Sequence, residues 1–327
     1  MVIKFTSPWQ IDYSKVVPFE SIDRICYFND ISVNEADYWI IWGDLQNVET
    51  VLVDKQNVIY IADECHENRF YNLDFLNQFN NIARVNPENP MIGTISIPEV
   101  GMWYFDKNYE EISNLQPQPK NKKLSVVCSD LTILPGHKSR YAFVNKLIGH
   151  FKDQIDVYGR GFNNIKDKWD ALYDYEYSIA IENNVQNNYF TEKISECFLT
   201  YTVPFYYGCP NISEFFNPNS LINIDINDYK KSISIIEDSI NSNTYYSKLE
   251  AIIESRNKYL RDYHFSSALN KIVETVRATN DSNQIYSKST KVTLYPESTF
   301  QNTDKFKFVS MNSLIKEIFN RLLHKLV

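Results

Sequence analysis

The sequence predicts an α/β protein built from two Rossmann-like units that face a cleft. Three observations lead there. Short apolar runs with strand character alternate with longer mixed segments through most of the chain, which is the pattern of parallel strands joined by crossover helices. The stretch 114–123 (NLQPQPKNKK), with two prolines and three lysines, interrupts that alternation and reads as a linker or a long surface loop. A chain of 327 residues suits about two domains at the usual ~100–200 residues each.

In the first third, residues 36–43 (ADYWIIWG) form an apolar run ending in glycine, and 57–62 (NVIYIA) form another that leads into the acidic loop 63–67 (DECHE). Residues 91–97 are a third strand candidate. Continuous apolar runs of this length mark strands buried on both faces. Beyond the linker the alternation is more regular. Strands are expected at 124–129, 156–158, 177–181, 203–207 and 221–226, with helices at 138–151 and 191–201 and a helical pattern over 228–278. These divisions give a first unit at 1–118, a second at 119–280, and a tether with a terminal helix at 281–327. In open α/β sheets, ligands bind outside the carboxyl ends of the strands, so the cleft between the units is the expected site.

Composition narrows the function. The net charge of −8 argues against a DNA or RNA partner, which needs a basic field. Five cysteines without a C-x-x-C pair read as reduced thiols. The N-terminus MVIKFTSPWQ lacks the charged start and apolar run of a signal peptide, and no apolar stretch approaches the ~18 residues of a membrane span; a cytoplasmic location is expected. Aromatic residues make up 15%, which suits an enzyme that stacks sugars and bases and equally suits an AT-rich genome.

The segment 177–210 carries the chemistry: YSIAIENNVQNNYFTEKISECFLTYTVPFYYGCP. A buried strand ends in Glu182-Asn183, a polar loop follows, and a helix starts at Thr191-Glu192-Lys193. Thr191 suits an N-cap and Glu192 a first turn. Backbone N–H groups at a helix start attract phosphate, and Lys193 adds a point charge. The Glu192 carboxylate can accept two hydrogen bonds from a ribose diol, and Asn183 can donate and accept. Read without further context, the same segment also describes a capped surface helix.

The spacing of Glu182-Asn183, Tyr189, Glu192-Lys193, Val203-Pro204 and Gly208 resembles the signature of glycosyltransferase family 10, the α-1,3/4-fucosyltransferases, over about residues 124–225. The resemblance implies a GT-B type fold, with the first unit binding the acceptor and the second the nucleotide sugar. It implies inverting transfer of fucose from GDP-fucose to a glycan or lipopolysaccharide acceptor. It implies that Glu192 holds the ribose, that Lys193 and Asn183 hold diphosphate and sugar, that Tyr189 lies beside the donor, and that Arg140 clamps the diphosphate, with Lys138 as the rival clamp. It also implies a general base at the end of a first-unit strand. Glu64 is the candidate, with Glu67, Asp63 and a purely structural loop as alternatives, because the expected proline is absent and three acids crowd the loop. No Asp-x-Asp pair occurs in the sequence, so donor binding without a required metal is expected, a divalent ion remaining a candidate stimulant of leaving-group departure. Residues 305–327 hold five Lys/Arg, one Glu and a stripe of leucines, isoleucines and Phe319, which reads as a basic amphipathic helix for a membrane surface or for protein packing. Two further readings stand beside fucosyl transfer: a transferase of another nucleotide sugar, and a catalytically silent glycan-binding protein.

Overall fold

The computed structural model describes residues 1–10, 24–62, 69, 71–85, 94–98, 101–283 and 288–300. Asp63, Glu64 and Glu67, and the terminal segment 305–327, lie outside the described residues, as do 91–93 of the third strand candidate.

Two parallel sheets form the framework, as the alternation predicts. In the first unit the strands are β1 (Val2–Thr6), β2 (Ile25–Phe28), β3 (Tyr38–Trp42), β5 (Val58–Ile61), β6 (Asn81–Arg84) and β7 (Thr94–Ser96), in the order β2-β1-β3-β5-β6-β7. Every neighbouring pair is parallel. The second sheet has β8 (Lys122–Val127), β9 (Asp156–Tyr158), β10 (Tyr175–Ile181), β11 (Val203–Tyr207) and β12 (Ile222–Asn223), in the order β12-β11-β10-β8-β9. Helix α3 (Pro135–Phe151) connects β8 to β9, and α4 (Glu192–Leu199) connects β10 to β11. The central strands β3 and β10 are buried at every residue, which is why YWIIW and YEYSIAI show no polar face: each lies in a sheet covered on both sides.

After the second sheet the chain forms α5 (Tyr229–Asn241), α6 (Thr244–Lys258) and α7 (Phe265–Ser282), the last two separated by one wide turn at Tyr259–Tyr263. The chain then returns to the first unit. On α7, Phe265 packs on Phe5 and Trp42, Glu274 pairs with Arg24, and the Asn280 amide donates to Asn57 Oδ1 at 3.0 Å. Burial of Phe265, Leu269, Ile272, Val273 and Val276 contributes roughly 1.5–3 kcal/mol each. The segment that reads as a tether contains β13 (Thr290–Leu294), antiparallel to β4 (Glu49–Val53). Only Val292 and Leu294 of β13 are buried; a ribbon with one wet face keeps a Ser/Thr/Lys-rich composition, which is also the composition of a loop.

The carboxyl ends of the two sheets meet. Val85, immediately after β6, packs against Tyr189 in the loop after β10. A linker at 101–108 and α2 (Tyr109–Asn114) pass between the units, and a shared hydrophobic cluster joins the facing surfaces of both sheets.

Candidate active site

The site is built on one buried carboxylate. Glu182 follows β10, and its side chain is fully buried. It accepts from the Thr191 N–H at 2.9 Å and from the Thr191 hydroxyl at 2.7 Å. The strand end is thereby fastened to the start of α4, where Thr191 Oγ1 in turn caps the Lys193 N–H. Space for Glu182 requires glycine at 208: a Cβ there would lie 2.4 Å from Glu182 Cγ. Gly136 plays the same part on the other side. A Cβ at that position would lie 1.7 Å from the Asn183 carbonyl oxygen, so the first turn of α3 closes directly on the Glu182-Asn183 turn.

That closure brings Arg140, one turn along α3, onto the site. Its guanidinium donates to Asn183 Oδ1 and reaches Ser129 Oγ at 3.4 Å. Arg140 is buried, and its Nε has no hydrogen-bond partner among the described residues. Lys138, the rival clamp, is exposed. Lys193 Nζ donates to Thr191 Oγ1 at 2.9 Å and lies 3.4 Å from Glu182 and 3.5 Å from Glu192.

Arg140, Glu192 and Lys193 line a cavity of about 210 Å³ together with Ser129, Lys168 and Glu196. It opens at the carboxyl end of β10, beside the α4 N-terminus, where an open α/β sheet binds ligand. A larger cavity of about 870 Å³, bordered by Met1, Asp37 and Asn57, sits at the amino-terminal ends of β1, β3 and β5, away from this constellation. Of the residues singled out from sequence, the structure brings Arg140, Asn183, Glu192 and Lys193 together. It does not bring Tyr189 to the cavity wall: that ring is buried against Val85, so Tyr189 joins the two units at the side of the site. Gly159-Arg160-Gly161 is a turn in which Gly159 has φ +116° against the Cys128 carbonyl and Arg160 pairs with Asp130.

Two charged residues that the sequence reading did not identify complete the site. Lys168 Nζ donates to Glu192 at 3.3 Å and to Glu196 at 3.2 Å, and lies 4.8 Å over the Tyr104 ring. Glu196 also accepts from the Tyr104 N–H at 2.8 Å, tying α4 to the linker between the units. The i, i+4 spacing of Glu192 and Glu196 was a readable sign that both lie on one helix face; nothing local marks Lys168. Burial alone would raise the Glu192 pKa, but the charges of Lys193 and Lys168 and hydrogen bonds from Thr191 and Lys168 hold it well below the usual carboxylate range. Glu196 is pushed up to about 7, by burial first and by Glu192 second, against the pull of Lys168. Burial, then Arg140 and Lys193, lower the His137 pKa, keeping it neutral at pH 7. The arrangement offers two cations and a helix N-terminus to an anion and an ionised carboxylate to a pair of hydroxyls.

Comparison with known proteins gives consistent matches. The model of the C-terminal part of glycosyltransferase family 10 (fucosyltransferase) matches residues 117–290, more than half of the chain. The α-(1,3)-fucosyltransferase FucT of Helicobacter pylori is 33% identical over 75 residues, 23% of this chain and 16% of that protein. A putative fucosyltransferase-like protein of Arabidopsis thaliana is 40% identical over 65 residues, 19% of this chain and 13% of that protein. The aligned segments thus span a sixth or less of those relatives. Among solved structures, an α1,3-fucosyltransferase with GDP superposes with TM-score 0.55 at 17% identity, covering 86% of this chain and 90% of that one. A second, with GDP-fucose, gives 0.51 at 16% identity, covering 84% and 89%. These superpositions establish the shared two-sheet fold.

Proposed function

From the premise that this chain belongs to glycosyltransferase family 10, we propose that it transfers fucose from GDP-fucose to a carbohydrate hydroxyl, with inversion at the anomeric carbon. The observation that carries the proposal is the convergence of Arg140, Lys193 and Glu192 on one cavity at the start of α4. In this reading Arg140 and Lys193 bind the diphosphate, whose charge grows as the sugar departs, and they stabilise that charge as it forms. Glu192, ionised and oriented by Lys168, accepts from the ribose hydroxyls. Asn183 gives up its bond to Arg140 and turns to the donor. A carboxylate in the 63–67 loop, assigned to Glu64, removes the acceptor proton, a contribution typically worth ~10²–10⁴-fold. The oxygen then attacks the anomeric carbon as GDP leaves. Arg140 and Lys193 supply the positive charge, so turnover is expected to survive chelation of divalent ions. The proposed acceptor is an oligosaccharide or glycolipid such as lipopolysaccharide, met at the cytoplasmic membrane surface with the help of the basic 305–327 segment.

The test is a panel of nucleotide sugars, scored by thermal stabilisation and by slow hydrolysis of the donor. A ligand at 100 times its Kd stabilises by about 2.7 kcal/mol. Preference for GDP-fucose supports the proposal. Preference for a UDP or dTDP sugar assigns another donor to the same scaffold, and no binding makes the protein a silent glycan binder.

A further inference from the structure

The cavity of about 870 Å³ lies at the opposite ends of the strands from the donor constellation, so both can be filled at once. Its lining comes from two directions. Tyr38 begins β3, with Asp37 just before it, and Asn57 just precedes β5. Helix α7, which returns from the second unit, presents Asn270, Glu274 and Arg277 on one face at i, i+4 and i+7, with Lys271 beside them.

The polar groups of this lining divide into those already paired and those left over. Arg24 donates to Asn270 Oδ1 at 2.6 Å and pairs with Glu274. Asp37 accepts from the Val2 N–H at 2.7 Å, and the Asn57 amide donates to the Asp37 carbonyl at 2.9 Å. Lys271 and Arg277 have no hydrogen bond or ion pair among the described residues. The protein as a whole carries a net charge of −8, so two unpaired cations on one cavity are not a sample of its average surface. Tyr38 is the third group left over. Its side chain is 6% exposed, yet its hydroxyl is not sealed off and has no hydrogen-bond partner among the described residues. A tyrosine buried to that extent usually finds one. Burial raises its pKa against the pull of Arg277, so the hydroxyl is a donor at neutral pH.

A guanidinium, an ammonium and a phenol O–H are three donors for the oxygens of one phosphate, which a guanidinium can bind bidentately. The volume is in the ~300–1,000 Å³ range of small-molecule pockets, more room than a phosphate needs, and the amides and carboxylates around the cations suit hydroxyl groups. We propose that this cavity is a second ligand site, in which Tyr38, Lys271 and Arg277 bind the phosphate of a phosphorylated saccharide. That chemistry is shared by a free sugar phosphate and by the headgroup of a phosphorylated glycolipid. The site does not depend on the transferase reading above.

The test uses the full chain with glucose 1-phosphate in calorimetry, and with vesicles of phosphatidylcholine, plain or carrying phosphatidylinositol 4-phosphate, in sedimentation. Binding of at least one of the two phosphorylated ligands is expected. Reversing both cations, Lys271→Glu with Arg277→Glu, should weaken it at least tenfold, and Tyr38→Phe about tenfold. Arg140→Ala, at the donor cavity, should change it less than twofold. Both reversed side chains are exposed and unpaired, so the double variant should melt with the wild type in circular dichroism. Binding of glucose 1-phosphate assigns a free sugar phosphate, and sedimentation only with the phosphorylated vesicles assigns a headgroup. Binding of neither, equal binding by wild type and double variant, or loss in Arg140→Ala alone overturns the second site. Absence of thermal stabilisation by GDP-fucose in the same preparation would defeat the fucosyltransferase reading and leave this site standing.

Discussion

Replacing Glu196 with glutamine should make the protein more stable at pH 8 and leave it unchanged near pH 4.5. Glu196 is 2% exposed, and its carboxyl titrates at about 7, against a reference value of 4.5. A carboxyl with a raised folded-state value favours folding only while it carries its proton. Between pH 4.5 and 7 the folded state binds more protons than the unfolded one, so stability falls as pH rises through that window. Above 7 the whole penalty is present, and a carboxyl moved from 4.5 to about 7 loses about 3 kcal/mol there. The pull of Lys168 is already contained in that figure. Glutamine keeps an oxygen for the Tyr104 N–H and carries no charge to desolvate. At roughly 2–4 °C per kcal/mol for a chain of this class, Glu196→Gln should melt about 6–12 °C higher at pH 8. Glu192 works in the opposite sense: its lowered pKa stabilises the fold above the ordinary carboxylate value, and that stabilisation is lost as pH falls. Both proteins contain Glu192, so the difference between their melting curves isolates Glu196. Melting followed by circular dichroism from pH 4.5 to 8.5 measures it. A variant that melts at or below the wild type at pH 8 would refute the claim that Glu196 is a carboxylate buried at a cost.

Other substitutions test the remaining parts of the site. Arg140→Ala should weaken GDP binding about 10- to 100-fold in calorimetry, the size of a lost hydrogen bond to a charged group of about 1.5–3 kcal/mol. Gly136→Ala should cost stability and donor affinity together, because its Cβ displaces the Asn183 carbonyl now 1.7 Å from that point; a melting temperature within 1 °C of wild type would show that the turn yields freely. Glu64→Gln should leave donor affinity unchanged while transfer falls about 10²–10⁴-fold, and full turnover would place the base at another residue.

The parts legible in the sequence are those buried on both faces. The runs leading into β3, β5, β8, β10 and β11 stand out because a covered parallel strand has no polar side to hide it. Strands β1 and β2 escaped the same reading. In VIKFT the run is broken by Lys4, which is buried but paired with Glu49 at 2.8 Å, and β2 is an edge strand with alternate residues exposed. The helical pattern over 228–278 was sound in kind, yet the pattern alone does not report that the chain turns back onto the first unit at His264, whose ψ of 147° ends the helical course. At the site, Asn183, Glu192 and Lys193 were legible because they surround one local strand–loop–helix junction. Lys168 reaches the same cavity from 24 positions before Glu192, and Tyr104, 88 positions before it, meets Lys168 and Glu196 at its side; only the fold brings them there.

The weight of Glu182 follows from the same contrast between local and distant contacts. In the sequence it reads as half of a Glu-Asn pair at a strand end, a plausible ligand group. In the structure its two oxygens are spent on Thr191, and its charge faces Lys193. Its side chain is fully buried, so it is not presented to a donor, and its contacts fasten the start of α4 to the end of β10. Three cations, Arg140, Lys168 and Lys193, face three acids, Glu182, Glu192 and Glu196. In the proposed reading, a diphosphate competes for Lys193 with Glu182 and Glu192, whose charges hold the ammonium in place before the donor binds. On that reading Lys193 is preorganised by its own ion pairs and needs little ordering when the diphosphate arrives.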